Sequence, residues 1–348
     1  MDVRIVQLEG LDAVLRHRDE LDALAESAGS YFHTAEWLSA WARIARPSRL
    51  TVHLARDDSG TTLGYVGTAT LRRRLHRRVP LPLPYLGLAG SGYGAADHLG
   101  PVGSAESHQP LVEAALATAG RRAVMWESVD PQHSPLLGRQ GLRTVSRKSC
   151  PRIDLRDVGE ERDLWPKKLL KELRRRERRM TEEGIRGRWI DDPGEVLATL
   201  PSLRSVHLER WRSQQGAGLF DEDRMQLLQL LCTTEGARFT PVMYVLETPS
   251  ATVASLLLFR CGSTMASYKS GWSPELQQLA PGVAMHAAAI RRSLAEGRAT
   301  YDFLRGTSGH KYTLRGVDRY DETMIGGRGP GRSLLELRET DRTTAGGS

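Results

Sequence analysis

The residues best suited to chemistry lie between Met265 and Gly316. Asp302 stands between Tyr301 and Phe303, and a carboxylate with apolar neighbours on both sides must be paired or catalytic. His310, in Gly306-Thr-Ser-Gly-His-Lys-Tyr312, can act as a general base near neutral pH. Tyr268 and Tyr312 can serve as acids toward a leaving group. Pro281-Gly282 opens a helix with few side-chain atoms in the way, so the amides at its start could hold an anion. The chemistry these residues suggest is proton transfer beside a bound anion.

Strand, helix and strand must position them. Residues 265–271 read as a strand and 283–296 as a helix, in which Val283, Ala287, Ile290 and Leu294 face a sheet while Arg291, Arg292 and Glu296 face water. A second strand covers 301–305. Upstream, 200–215 and 221–235 are two amphipathic helices joined through Gly216-Ala-Gly218, and Asp221 is an N-cap. His207, Arg210 and Trp211 share one face of the first. Strands at 240–247 and 253–260 have turns short enough to make an antiparallel meander with 265–271. Residues 321–325 are expected as the final strand, and a polar, glycine-rich tail follows.

The first half has a strand at 3–8, a helix through Leu11 to Leu24, and a helix capped by Thr34 with Trp37, Leu38, Trp41 and Ile44 on one side. A hairpin (51–55 and 63–71), a helix (110–119) and a strand (123–129) complete it. Residues 79–105, rich in proline and glycine, are expected to be a long loop with at most a short strand at 85–88, and Tyr93, Asp97 and His98 are its polar candidates. The order of elements repeats in outline that of the second half.

At 348 residues the chain calls for two domains of about 150 residues each. No apolar run nears the roughly 18 residues a membrane span needs. Asp2, Arg4 and Glu9 do not suit a secretion signal, so a cytoplasmic location is expected. Cys150, Cys232 and Cys261 are odd in number and widely spaced, against a disulfide framework or a zinc site. His53, His76, His98, His108 and His133 fall at unrelated spacings, so no metal set is expected and surface roles suffice. Much of the net charge of +7 lies in two clusters, 72–78 and 167–179, and eight of the thirteen residues in the second are Lys or Arg. That segment belongs to a helix over 164–183 with an apolar stripe of Leu169, Leu173 and Met180. Such a charged helix is a solvated face, or a landing surface for a polyanion such as coenzyme A phosphates or a transfer RNA.

Five motifs in order carry a resemblance: Phe32-His-Thr-Ala-Glu-Trp37, the basic run 173–184, His207-x-x-Arg210-Trp211, Pro281-Gly282 before its helix, and Asp302-Phe-Leu-Arg-Gly306 leading into His310-Lys-Tyr312. Together they resemble the GNAT acyltransferase superfamily, in its bacterial tandem branch related to the Fem-type aminoacyltransferases. His310 stands where that branch usually has Tyr, and Leu279 where acetyl-CoA users usually have Gln or Arg. The resemblance implies an α+β fold of two tandem GNAT-like domains, each a mixed, mostly antiparallel sheet flanked by helices. A degenerate domain would span 1–157, a catalytic one 158–335 and a flexible tail 336–348.

The activity implied is transfer of an acyl group from an acyl-CoA to an amine of a small molecule, amino sugar or amino acid. The alternatives are an aminoacyl-tRNA-dependent transferase acting on a metabolite or peptidoglycan precursor, and a non-catalytic anion-binding protein. Asp302, His310, Lys311 and Tyr268 would be catalytic, and the backbone amides of 267–270 would meet the acyl carbonyl where the central strands splay. His207, Arg210, Trp211, Lys269 and Arg305 would bind the acceptor. Gly282, Val283 and Ala284, with Lys171 and Arg175, would hold the donor's phosphates. No tightly bound cofactor, metal, DNA or membrane span is implied, and the protein would be a monomer or weak dimer.

Overall fold

A computed structural model describes residues 3–76, 79–92, 95–213, 220–328 and 331–336. Arg77, Arg78, Tyr93, the 216–218 connector and the tail beyond 336 lie outside the described residues. The chain forms two compact units, Met1–Lys148 with Tyr320–Ser348, and Ser149–Arg319.

In the first unit β1 (Arg4–Glu9), β2 (Arg49–Arg56), β3 (Thr62–His76) and β4 (Val79–Leu88) form an antiparallel meander. Asp57 shapes the β2–β3 turn by accepting from the amides of Ser59 and Thr61, each at 2.9 Å. A short β5 (Val102–Gly103) lies against β3, and β6 (Ala123–Val129) runs parallel to β4. β7 (Arg143–Ser149) is the far edge of this sheet. Thr34 caps its helix as expected, accepting from Trp37 N, and Trp37, Trp41 and Trp126 fill the core.

Residues 79–88, expected to be mostly loop, are a full strand. Pro80, Pro82 and Pro84 cannot donate to a ladder, and they are tolerated because β6 meets β4 only at Tyr85 and Leu86, leaving the proline arm as an edge. His53 and His133, expected at the surface, are buried.

The second unit contains β8 (Arg152–Asp154), β9 (Arg186–Ile190), β10 (Val242–Glu247), β11 (Thr252–Cys261), β12 (Thr264–Trp272) and β13 (Thr300–Asp302), in the sheet order β8-β13-β12-β11-β10-β9. Only β12 and β13 are parallel. The basic helix, Lys167–Glu182, packs Leu170, Leu173 and Met180 into one core with Ala287 and Ile290 of helix Pro281–Ala295. It starts later than expected because Trp165-Pro166 breaks it, and the buried Trp165 donates to Leu314 O at 3.1 Å. Helix Pro193–Ser213 begins seven residues earlier than expected and packs on β11 and β12 beside helix Glu222–Thr233.

β14 (Tyr320–Gly327) returns to the first unit, where Met324 faces Trp126 and Ile325 faces Met125 across an antiparallel ladder with β6. Residues 321–325 therefore form the expected strand in the other sheet, and the units divide at 148/149 and 319/320, not at 157/158 and 335/336. Alternating apolar residues reveal a strand but not the edge it joins. Both sheets now share one sequence of steps: a meander, one parallel pairing, then an antiparallel strand drawn from the far side of the chain.

Truncating the fully buried Ile325 to Ala should weaken the first unit by about 2–5 kcal/mol. Hydrogen exchange would report it as lost protection in β6 and β14 with residues 149–319 unchanged.

Candidate active site

The parallel ladder of β12 and β13 has three pairs, Thr264↔Thr300, Met265↔Tyr301 and Ala266↔Asp302. β12 then runs on to Trp272 paired only with β11. Its register shifts so that Leu258 faces Ser267 and Leu257 faces Lys269, which makes Tyr268 the extra residue of a bulge. From Ser267 onward the β12 edge next to β13 therefore carries no ladder.

The cause lies in the chain after β13. Asp302 Oδ1 accepts from Leu304 N at 2.7 Å, holding Leu304 in the left-handed region at φ 53°. Phe303 N turns instead to Pro151 O at 3.0 Å. The buried Lys311 ammonium donates to the carbonyls of Phe303, Leu304 and Arg305 at 3.0, 2.8 and 2.9 Å. A lysine has three donors, and three carbonyls match them. Asp302 and Lys311, expected to be catalytic, build the turn that opens the sheet.

Three imidazoles gather near this opening. His310, on helix Gly309–Thr313, stacks on His286 of helix Pro281–Ala295 with ring centroids 4.7 Å apart. His286 Nδ1 lies 2.7 Å from the hydroxyl of Tyr301, which also meets the Ser267 side chain. Burial, with Arg210 and Lys311 nearby, pushes His310 down to about 4, and burial takes His286 well below its usual range. His310 is neutral at pH 7, and among the described residues no hydrogen bond holds its ring nitrogens. His286 was not singled out in the sequence; a polar residue four positions after Gly282, on a helix otherwise read as apolar packing, was the available signal.

His207 Nδ1 lies 2.7 Å from Ser270 O. A carbonyl only accepts, so Nδ1 carries the proton and Nε2 is bare in the neutral ring. The helix comes this close because β12 has Gly271 there: a Cβ would lie 2.3 Å from His207 N. Burial, partly offset by the Ser270 bond and reinforced by Lys269, Arg210 and Arg224, pushes His207 down to about 4. Trp211 and Phe220 pack about its ring, with centroids 6.1 and 5.4 Å away.

Arg210 lies 3.4 Å over the Trp272 ring, and burial alone pulls it down to about 10. Its charge acts on all three imidazoles. The structure thus brings together His207, Arg210, Trp211 and His310 of the expected set. Tyr268 instead packs on Phe259, with the Lys269 ammonium 5.5 Å from its ring. Arg305 contributes its carbonyl to Lys311, and the exposed Tyr312 donates to Asp318 at 2.9 Å.

At the helix start two of the three amides expected to cradle a phosphate are already bonded. Ala280, left-handed at φ 47°, folds its carbonyl over the first turn and accepts from Val283 N at 3.0 Å and Ala284 N at 3.3 Å. Pro281 has no amide proton. Trp272 covers Gly282, where a Cβ would lie 3.1 Å from the indole.

The basic helix is partly self-neutralised. Arg174 pairs with Glu161, Arg175 and Arg176 with Glu172, and Arg179 with Glu183. Among the described residues Lys167, Lys168, Lys171 and Arg178 form no ion pair. Lys167, Lys171, Arg174 and Arg178, at spacings of four, three and four, rim a depression of 240 Å³ floored by Leu170. Lys171 belongs to this stripe; Arg175 is forked onto Glu172.

The imidazole shifts set an acid limit on stability. An unfolded histidine binds a proton near 6.5, whereas His207 and His310 resist one until about 4 and burial holds His286 well below its ordinary value. As pH falls from 6.5 toward 4 the unfolded chain takes up protons the fold refuses, and each such imidazole removes up to about 1.4 kcal/mol per pH unit. Urea midpoints of the second unit should fall steeply across that window, and less steeply in His207→Asn.

Residues 167–312 match the family described as acetyltransferase (GNAT) domain. FemX superposes with a TM-score of 0.65 at 10% identity, covering 97% of this chain and 100% of that one. The C-terminal domain of a putative lysylphosphatidylglycerol synthetase from Agrobacterium fabrum gives 0.59 at 12%, covering 94% and 96%. L-PGS from Bacillus licheniformis gives 0.57 at 15%, covering 92% and 96%. Identities this low express a shared fold. Among curated proteins no sequence match is found. Residues 167–312 are therefore identified as a domain of the acetyltransferase (GNAT) family.

Proposed function

We propose that the second unit transfers an acyl group from an ester or thioester donor to an amine where β12 and β13 part. The observation that carries this reading is the ladder-free edge of β12 beyond Ala266, beside the neutral His310. Strand amides beyond the end of a ladder can grip a carbonyl oxygen and stabilise the negative charge it gains when an amine attacks. As the carbon–nitrogen bond forms, His310 takes the amine proton; the bond to the leaving group then breaks and that group departs with the proton His310 returns, which leaves the imidazole neutral again.

The donor we favour is an aminoacyl-tRNA. The helix start weighs against a coenzyme A thioester, because two of the three amides expected to hold its pyrophosphate, Val283 N and Ala284 N, are bonded to Ala280 O and the third, Gly282 N, lies beside Trp272. The stripe of Lys167, Lys171 and Arg178 offers unneutralised cations along one helix face, as a phosphodiester backbone requires. The likeness to FemX and the resemblance to Fem-type aminoacyltransferases point the same way. An amine on a metabolite or peptidoglycan precursor would be the acceptor, in the cytoplasm.

Unfractionated transfer RNA should bind with a log–log salt slope of about −3, from three to four phosphate contacts. Lys171→Ala with Arg178→Ala should make that slope shallower by about 1 to 2. Coenzyme A at millimolar concentration should leave the melting temperature unchanged. A clear rise with coenzyme A and none with RNA would replace the donor by a thioester. His310→Gln should lower turnover about 10²–10³-fold while leaving donor binding intact.

A further inference from the structure

We propose that His286, held through its Nδ1 by the buried Tyr301 hydroxyl, is the positioning residue for His310: its ring fixes the plane in which His310 takes the amine proton. The proposal rests on the transfer reading and adds to it the pair of side chains that align the base.

His310 has little of its own to hold it. It lies on the five-residue helix Gly309–Thr313, and among the described residues its ring nitrogens have no hydrogen bond. What fixes the ring is contact with two others. His286 lies against its face, with centroids 4.7 Å apart and planes 21° from parallel, and Phe303 meets it edge-on at 6.5 Å and 67°. Stacked and edge-on contacts are the two arrangements that aromatic rings prefer. One face and one edge together leave the ring little freedom about χ1 or χ2.

His286 is in turn fixed from the sheet. Its side chain is buried on helix Pro281–Ala295, and Phe303 packs on it at 5.2 Å. A ring lined only by other rings can still turn about χ2, and a hydrogen bond to one nitrogen stops it. Tyr301 supplies that bond, its hydroxyl 2.7 Å from Nδ1 and also meeting the Ser267 side chain. Tyr301 is fully buried in β13 opposite Met265 of β12, and Ser267 is the first residue of β12 past the parallel ladder. The contacts from Ser267 through Tyr301 and His286 to His310 therefore tie the base to the two strands that part at the site. An apolar ring at 286 would stack on His310 equally well but would offer Tyr301 nothing, which accounts for a histidine among the alanines of this helix. Burial holds His286 well below its ordinary value, so at pH 7 the proton His310 accepts meets no positive charge on the ring stacked against it.

Tyr301→Phe tests the link with the smallest change, the loss of one buried oxygen. In protein with ¹³C-labelled histidine, relaxation of the ring carbons gives an order parameter for each ring, and His207 serves as the internal reference. The His310 value should fall in Tyr301→Phe. It should fall further in His286→Asn, whose amide can keep the bond to Tyr301 but has no ring to stack. His286→Phe, which keeps a stacked ring without the bond, should match Tyr301→Phe. Turnover should follow the ring: kcat lower by about three- to tenfold in Tyr301→Phe and about 10²-fold in His286→Asn, with KM unchanged, the cost of a base displaced by about an ångström. An unchanged His310 ring in both Tyr301→Phe and His286→Asn would overturn the proposal, as would an equal loosening of His207. If the ring loosens but His310→Gln leaves turnover intact, the transfer reading fails and the coupling of the rings stands. If His310→Gln abolishes turnover and neither variant moves the ring, only the positioning role fails.

Discussion

An ammonium group shared among three carbonyls keeps the second sheet open. Burying Lys311 costs several kcal/mol of desolvation, and three charge-assisted hydrogen bonds at about 1.5–3 kcal/mol each return a similar amount. The net effect on stability is therefore small, and the larger effect is directional. With Phe303, Leu304 and Arg305 turned toward Lys311, and Leu304 held left-handed by Asp302, the chain cannot continue alongside β12. Everything assigned to the site follows from that departure, because the edge amides of β12 have no other strand to meet.

The first unit contains a step of the same kind. β4 and β6 form a short parallel pairing at Tyr85 and Leu86, and beyond it the buried Leu99 lies beside Val129 as a further parallel partner. Leu99 N donates to Ser128 O at 2.7 Å, and Leu99 O accepts from Asp130 N at 2.9 Å. In the first unit, then, Leu99 lies along β6, the counterpart of β13, beyond the point where β6 leaves β4.

Much of the element order could be read from periodicity alone, since three strands with short turns, an amphipathic helix and a further strand follow from local patterns. His207, Arg210 and Trp211 were legible for the same reason: spacing of three and four on a helix fixes a face. What could not be read was the partner of each polar group. Asp302 reads as needing a partner, and one partner is an amide two residues away, which composition does not distinguish from a substrate. Lys311 looked like a catalytic cation because carbonyls that bind it appear in a sequence only as backbone. Pro80 to Pro84 spoke for a loop since their strand is an edge, and β14 was placed in the wrong sheet because pairing is a long-range property.

Base strength and charge pull against each other at this site. An imidazole held near 4 is unprotonated throughout the physiological range, which keeps it available, yet it is a poor acceptor of protons. Arg210 and Lys311 contribute to that depression alongside burial.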